Sequence, residues 1–340
     1  MKKFLIALVL LLIVVFILTR FAELNQILGV LGRGNLLYLG LALIVEMLWI
    51  YNLGAFNQSI YHVLGMPVTR LHMTWLTTAA NVLSVVAPSV GLSTVAVYLA
   101  DGQQHGRSPA KVTVAMGLYV WFEYIGTLCI AIFGLAELSR RNSLHWVEIA
   151  ASLILLAGAL GIGALLYIGL KSTRLLERIM AWGIRTINRA LRPLLHRNRF
   201  EEEQATHFSA ELAEGLAVLR SNPRWIGWPL FYTLMNKALL VVILAMCFLA
   251  FETPVDIGTL VSGISITQLF LLVSPTPSGI GIVEGILTVA LNGLGVPFDN
   301  ATVITLAYRF YSFWIPLLVG SIMLRVLSRE KQSIAPVQTE

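Results

Sequence analysis

Long apolar runs constrain this chain more than any other feature. Runs of roughly 17 to 25 apolar residues, the length that crosses a hydrocarbon core about 30 Å thick, recur from end to end. Of the 340 residues, 57% are hydrophobic and 12% charged, and the mean hydropathy is +0.79. A soluble fold needs more charge to cover its surface, and the strands of a membrane β-barrel alternate apolar with polar residues. The pattern predicts an all-α, polytopic membrane protein of about eight helices.

Five runs are continuous enough to be single spanning helices. They cover 36–55, 112–135, 147–170, 226–250 and 302–324. A further run at 4–18 follows Lys2 and Lys3 and imitates a secretory signal, but it is long and no small-residue cleavage site follows it. We expect it to remain as a first helix.

The chain divides into two membrane halves, 1–170 and 226–326, joined by a hydrophilic linker at 171–225. The linker holds a charged amphipathic helix, and its arginines suit a solvated loop or an interfacial helix on anionic lipid better than a specific binding site. We expect the tail, 327–340, to be disordered. Most of the 24 lysine and arginine residues lie on the cytoplasmic side if both termini and the linker are cytoplasmic. This bias is the positive-inside signature of a multi-pass membrane protein.

Two apolar stretches, 71–100 and 256–295, are interrupted by proline and glycine. The first break contains Pro88, Ser89 and Gly91, and the second is the run TPSGIG at 276–281. The charge bias requires each stretch to enter and leave on one side, so we predict two broken hairpins that span or re-enter the membrane, the first open to the cytoplasm and the second to the outside. Helix, broken hairpin and helix then occur twice with opposite topology, the inverted repeat of many secondary transporters. Kinks or short external loops are the alternative explanation.

The second break is suited to binding an anion. A helix that begins inside the membrane near Ile282 has amide groups without partners and a positive dipole end. Glycines at 279 and 281 allow a phosphate or carboxylate to approach this backbone. The residues predicted to bind substrate are Pro277, Ser278, Gly279, Gly281, Glu284, Arg309, Lys237, Pro88, Ser89 and Gly91.

Five charged residues lie in or beside apolar helices, where a charge costs at least about 2.5 kcal/mol unless it faces a polar interior. Lys237 and Arg309 are bases that could meet an anionic ligand. Glu46 and Glu123 are predicted to serve coupling or charge pairing, and Glu284 to cap its helix or to bind a proton, a cation or a base. Alternatively, Arg309 reaches the interface, or Lys237, Arg309, Glu46 and Glu123 pair with one another as structural links.

Other chemistry is not indicated. Cys129 and Cys247 lie in apolar runs without a CxxC or histidine partner, so we predict no metal site and no cofactor. Motifs for nucleotide, zinc-protease and serine-hydrolase chemistry are absent from the sequence, and we expect a non-enzyme that does not bind nucleic acid. The tryptophans, Trp49 and Trp121 among them, are expected in interfacial belts.

The run PSGIGIVEG, followed by the helix YRFYSFWIPLLVG, resembles the lysylphosphatidylglycerol synthase transmembrane-region family, the flippase-like domain of the multiple peptide resistance factor. The matching positions are Pro277, Gly279, Gly281, Glu284, Arg309 and Gly320. The chain departs from the family at Ser278, where glycine is commoner, and its first-half motif lacks an arginine that many relatives carry. We expect it to lack the cytosolic aminoacyltransferase to which larger members are fused.

The resemblance implies an inner-membrane protein of about eight helices that translocates anionic, aminoacylated or polyprenyl-phosphate lipids. We therefore expect a lipid flippase whose partner is a membrane lipid with an anionic headgroup, and the sequence is compatible with a homodimer. The alternative is a membrane enzyme, or an accessory subunit of one, for lipid-linked aminoacyl or glycosyl transfer. A purely structural scaffold would leave the charges within the membrane unexplained.

Overall fold

A computed structural model describes residues 27–86, 92–172, 226–274 and 276–334, with positions 175, 178, 215, 216 and 219. This part of the chain is helical and contains no strand, which confirms the all-α prediction. The α-helices are α1 (Leu36–Val63), α2 (Arg70–Val86), α3 (Leu92–Gln104), α4 (Pro109–Arg140), α5 (Trp146–Lys171), α6 (Gly227–Ala250), α7 (Ile257–Val273), α8 (Ile282–Gly293), α9 (Phe298–Arg309) and α10 (Ile315–Ile334). The number exceeds the predicted eight because each hairpin supplies two helices and the last span is divided.

The five predicted spans all match helices that are long and apolar enough to cross a membrane. These segments are Leu36–Val63, Pro109–Arg140, Trp146–Lys171, Gly227–Ala250 and Phe298–Val326. The predicted first helix at 4–18, the first break with Pro88, Ser89 and Gly91, and most of the linker at 171–225 lie outside the described residues. Helix α10 continues to Ile334, into the segment predicted as the tail, and the predicted disorder of 327–340 stays a prediction.

The packing follows the predicted inverted repeat. Helix α1 packs along α6, α2 packs against α10, and α7 packs against α4. Helices α1, α2 and α4 of the first half correspond to α6, α7 and the last span of the second half. The α2–α10 contact therefore corresponds to the α7–α4 contact. The two halves therefore pack against each other through equivalent pairs of helices, as expected if a two-fold axis relates them.

Small residues mark the same two contacts. A Cβ atom added at Gly320 of α10 would collide with the carbonyl oxygen of Thr78, and one added at Gly134 of α4 would collide with the Ser265 hydroxyl. Thr78 and Ser265 stand at the same position of two helices that each have 17 residues. The Ser265 hydroxyl donates to the Ile130 carbonyl oxygen at 2.8 Å. Close helix approach through glycine and a bridging hydroxyl is typical of packing within membranes.

The second hairpin turns through a short 3₁₀ segment, Pro277–Gly279, between α7 and α8. Ser278, Gly279 and Gly281 have φ angles of 52°, 67° and 79°. Such left-handed conformations cost little only for glycine. The clustered glycines therefore permit the reversal that a continuous helix could not make, and α8 begins at Ile282 as predicted.

The last span changes its winding where it passes the centre of the molecule. Helix α9 ends at Arg309, five residues form a π-helical turn (Phe310–Trp314), and α10 continues from Ile315. Such turns are rare and often lie at functional sites. The turn follows directly after the arginine that the sequence singles out.

Candidate functional site

A buried cavity of about 260 Å³, here called the central cavity, lies where the two halves meet. Its polar and aromatic lining includes Trp49, Asn81, Tyr119, Glu123, Tyr124, Asn236, Lys237, Thr267, Gln268, Tyr308, Arg309 and Ser312. Asn81 and Gln268 stand at the same position of α2 and α7. The inverted halves thus place equivalent amide side chains in one chamber.

Two ion pairs stand at this cavity. Lys237 Nζ of α6 lies 2.6 Å from Glu123 Oε2 of α4, and Arg309 Nε of α9 lies 2.7 Å from Glu284 Oε1 of α8. The two basic side chains are only 4% and 5% exposed. The alternative in which Arg309 reaches the interface is therefore wrong. The pairing alternative holds for Lys237 and Glu123, whereas Arg309 pairs with Glu284 and Glu46 takes no part.

Several N–H donors at the central cavity have no hydrogen-bond acceptor among the described residues. An ammonium group carries three N–H donors and a guanidinium carries five, and each base uses one of them at short range on its carboxylate. Trp49 Nε1 and Asn236 Nδ2 also line the cavity and have no partner among the described residues. Buried donors without acceptors are costly. The chamber is therefore suited to a ligand rich in acceptor oxygens.

A second cavity of about 450 Å³, here called the tip cavity, adjoins the first. Both are lined by Trp49, Asn81, Leu271, Leu272, Arg309 and Ser312, and the tip cavity extends to Ser278 at the hairpin turn. Arg309 Nη2 donates to the Ser278 carbonyl oxygen at 3.4 Å. Arg309 thus lines both cavities and contacts both the turn and the second helix, α8, of the second hairpin.

The backbone of the predicted anion cradle is partly engaged. The Gly279 amide already donates to the Thr276 carbonyl oxygen at 3.1 Å, and the predicted role of the first amides of α8 stays a prediction. A Cβ atom at Gly279 would meet Leu271 and Val283, whereas the space beside Gly281 is open. The side chain of Pro277 lies outside the described residues. Of the predicted second-half residues, Lys237, Arg309 and Ser278 line the cavities, and Glu284 acts through Arg309.

A lateral groove of about 620 Å³ lies along α4, α6 and α7, and Lys237 separates it from the central cavity as a lining residue of both. Its lining is mostly apolar: Gly126, Cys129, Ile130, Phe133, Glu137, Leu234, Lys237, Ala238, Val241, Val242, Ile257, Gly258 and Val261. Lys237 lines both the groove and the central cavity. Phe133 and Ile257 are exposed, as expected of side chains that face lipid. The geometry is amphipathic, because charged and amide side chains line the central cavity while the groove beside it is almost entirely apolar.

One cluster has spacing that could hold a metal ion. The ligand atoms of His72, Asp101 and His105 lie within 4.8 Å of one another. The Asp101 carboxylate is engaged, since Oδ1 lies 2.8 Å from His72 Nε2 and Oδ2 accepts from Arg107 at 2.7 Å. Burial raises the pKa of Asp101, but the hydrogen bond from His72 and the nearby His105 and Arg107 outweigh it and lower that pKa. The prediction of no metal remains a prediction.

The aromatic residues include the functional positions that the sequence did not reveal. Trp49, expected in an interfacial belt, lines both cavities. Trp121 Nε1 donates to the Ala159 carbonyl oxygen and packs between α4 and α5. Both side chains are engaged within the protein, and their predicted place in an interfacial belt stays a prediction. Trp49 lies one helical turn from Glu46 on the same face of α1, and this spacing was the available signal.

The fold and the site define a class of protein: a multi-pass α-helical membrane protein with a charged cavity between two halves that pack through equivalent helices. Residues 4–320 match the family described as lysylphosphatidylglycerol synthase TM region. The chain belongs to this family, which places it among membrane proteins that handle lipids and confirms the resemblance drawn from its motifs. The comparison with curated proteins gives no match.

Proposed function

We propose that this protein translocates a lipid with an anionic headgroup across the inner membrane, with both termini in the cytoplasm. The observation that carries the proposal is the group of buried N–H donors at the central cavity that have bonds still to make. Trp49, Asn236, Lys237 and Arg309 supply donors that the described side chains do not satisfy. A phosphate group offers several acceptor oxygens, and charge-assisted hydrogen bonds to it are the strong ones.

The lateral groove supports the same class of ligand. A lipid must keep its chains in an apolar environment while its headgroup crosses the membrane. The groove is apolar, has exposed hydrophobic walls and meets the central cavity at Lys237. With its headgroup in the central cavity and its acyl chains in the groove, a lipid would have a polar environment for the first and an apolar environment for the second.

Rocking of one half against the other would move the headgroup from side to side. The halves meet at α1–α6, α2–α10 and α4–α7, and inverted repeats commonly alternate access in this way. The Lys237–Glu123 pair joins α6 to α4 and so crosses from one half to the other. It is therefore the ion pair expected to loosen or tighten during the cycle.

The test is translocation of fluorescent phosphatidylglycerol in vesicles that contain the purified protein, measured by quenching of the outer leaflet. Arg309→Gln, which keeps a polar side chain without the charge, should slow translocation at least tenfold. Arg140→Gln is the matched control, because Arg140 is 73% exposed at the end of α4, and it should leave the rate unchanged. Equal rates for Arg309→Gln and the parent protein would contradict the proposal.

The second candidate, a membrane enzyme or its accessory subunit, predicts a different result. Such a protein would form a modified lipid in detergent micelles, where no bilayer is present to cross. A mass spectrum of lipids incubated with the protein distinguishes the two, since a translocated lipid keeps its mass.

A further inference from the structure

Glu46 is the buried carboxyl group that the proposed mechanism does not use. Its side chain lies within the apolar span Leu36–Val63 and is 0% exposed. Neither carboxylate oxygen has a hydrogen-bond partner among the described residues. The other acidic side chains at the centre, Glu123 and Glu284, are each paired with a base.

The position of Glu46 ties it to the central cavity. Trp49, one turn further along the same face of α1, lines both the central and the tip cavity. Tyr308 of α9, which lines the central cavity, lies within electrostatic range of Glu46. The carboxyl group therefore stands behind the cavity wall that Trp49 and Tyr308 form.

The groups that face Glu46 from neighbouring elements are neutral or already paired. The titratable ones are Tyr308 on α9, Tyr311 in the π-helical turn and Cys247 on α6. Tyr311 donates its hydroxyl to the Leu39 carbonyl oxygen at 2.8 Å. The charged ones are paired elsewhere: Lys237 on α6 with Glu123 on α4, and Arg309 on α9 with Glu284. On α2, Arg70 donates to Gln58. No charged side chain in the described residues is paired with the Glu46 carboxyl group.

A carboxyl group in this setting has a clear physical consequence. An ionised carboxylate without a partner is very costly inside a membrane, while the neutral acid costs far less. An apolar side chain of similar size would be more stable still, because buried polar groups without partners destabilise a fold. Glu46 therefore stabilises the packing of α1 less than an apolar side chain would, and reversible binding of a proton would account for a carboxyl group at this position.

We propose that Glu46 is a proton-binding site that couples lipid movement to the proton gradient, an inference that rests on the proposed function. In the conformation described, the carboxyl is neutral behind the cavity wall. When the halves rock and α1 parts from α9, water reaches Glu46 and the proton leaves to that side. Each transport cycle transfers one proton, and the O–H bond of the carboxyl group is the only bond that forms or breaks.

The first experiment detects the proton directly and needs no lipid movement. Infrared difference spectra of the protein in vesicles, recorded across a pH change, should contain a carbonyl band of a protonated carboxyl group. This band should disappear in Glu46→Gln and shift in Glu46→Asp, which retains an acid. Glu252→Gln is the matched control, because Glu252 is exposed in the turn after α6, and it should keep the band. A band unchanged in Glu46→Gln, or absent from the parent protein, overturns the proposal.

The second experiment measures coupling. A tenfold proton gradient across the vesicle should change the translocation rate of fluorescent phosphatidylglycerol in the parent protein by up to about tenfold, through mass action on one bound proton. Glu46→Gln should move lipid at a rate that no longer responds to the gradient. If Glu46→Gln still responds to the gradient, Glu46 is not the coupling site. If the parent protein has the infrared band but moves no lipid, the proposal of lipid translocation is refuted instead. If Glu46→Gln does not fold, Glu46→Asp should retain the gradient response, and losing it overturns the coupling.

Discussion

The ion pair that crosses between the halves, Lys237 with Glu123, gives the sharpest energetic test. Glu123→Gln leaves a lysine that is 4% exposed without its counter-charge, and breaking such a buried pair costs about 3 kcal/mol. Lys237→Met leaves Glu123, which is 15% exposed, so some solvation remains and we expect a loss of about 2 kcal/mol. The double variant replaces both charges and should lose only about 1 kcal/mol.

The measurement is equilibrium unfolding of the three variants in mixed micelles of a mild and a denaturing detergent, followed by circular dichroism. The cycle should show a coupling of about 4 kcal/mol between the two side chains, since the single losses do not add. Lys171→Met, at the end of α5 with its ammonium over the Tyr167 ring, should change stability by less than about 0.5 kcal/mol. Additive losses in the double variant would refute the pair.

Three further substitutions test the packing, the turn and the polar cluster. Gly134→Ala, which forces a Cβ atom onto α7, should cost about 1 to 3 kcal/mol in the same unfolding assay, whereas Gly117→Ala in open space on the same helix should cost nothing. Gly281→Ala, at a φ of 79° with open space around it, should lose about 1 kcal/mol through backbone strain alone, and Gly285→Ala should not. The lowered pKa of Asp101 means that its ionised form adds stability above its ordinary pKa of about 3.9, and that this gain is lost as pH falls through the lowered value. Asp101→Asn should therefore unfold at a lower temperature than the parent at pH 7, and the difference should shrink below about pH 4.

The membrane architecture was accessible from the sequence because the bilayer imposes it. Apolar length fixed the five spans, and two proline–glycine breaks of similar form indicated the hairpins. The equivalence of Asn81 with Gln268 shows why the breaks mattered: once α2 and α7 are aligned as counterparts, their amides meet in one chamber.

Which charged groups pair with each other could not be predicted from the sequence. Arg309 pairs with Glu284 on the neighbouring helix, while Glu46, an equally plausible partner, stands alone. Which carboxylate a base meets depends on how helices far apart in the chain are rotated about their axes, and that rotation is set by packing. The same reason explains Trp49, whose composition suits an interface but whose helix face turns inward.

The wide turn at Phe310–Trp314 has a consequence for how this segment can vary. In an α-helix each residue adds about 100° of rotation. Rewinding these five residues as regular α-helix, with none removed, would swing Gly320 about a quarter of a circle away from Thr78, while Arg309 stayed in place. The wide turn therefore sets the angle between the Gly320–Thr78 helix contact and the central arginine. Loss of one residue from the turn would leave this angle nearly unchanged, because an α-helical turn holds one residue fewer for almost the same rotation.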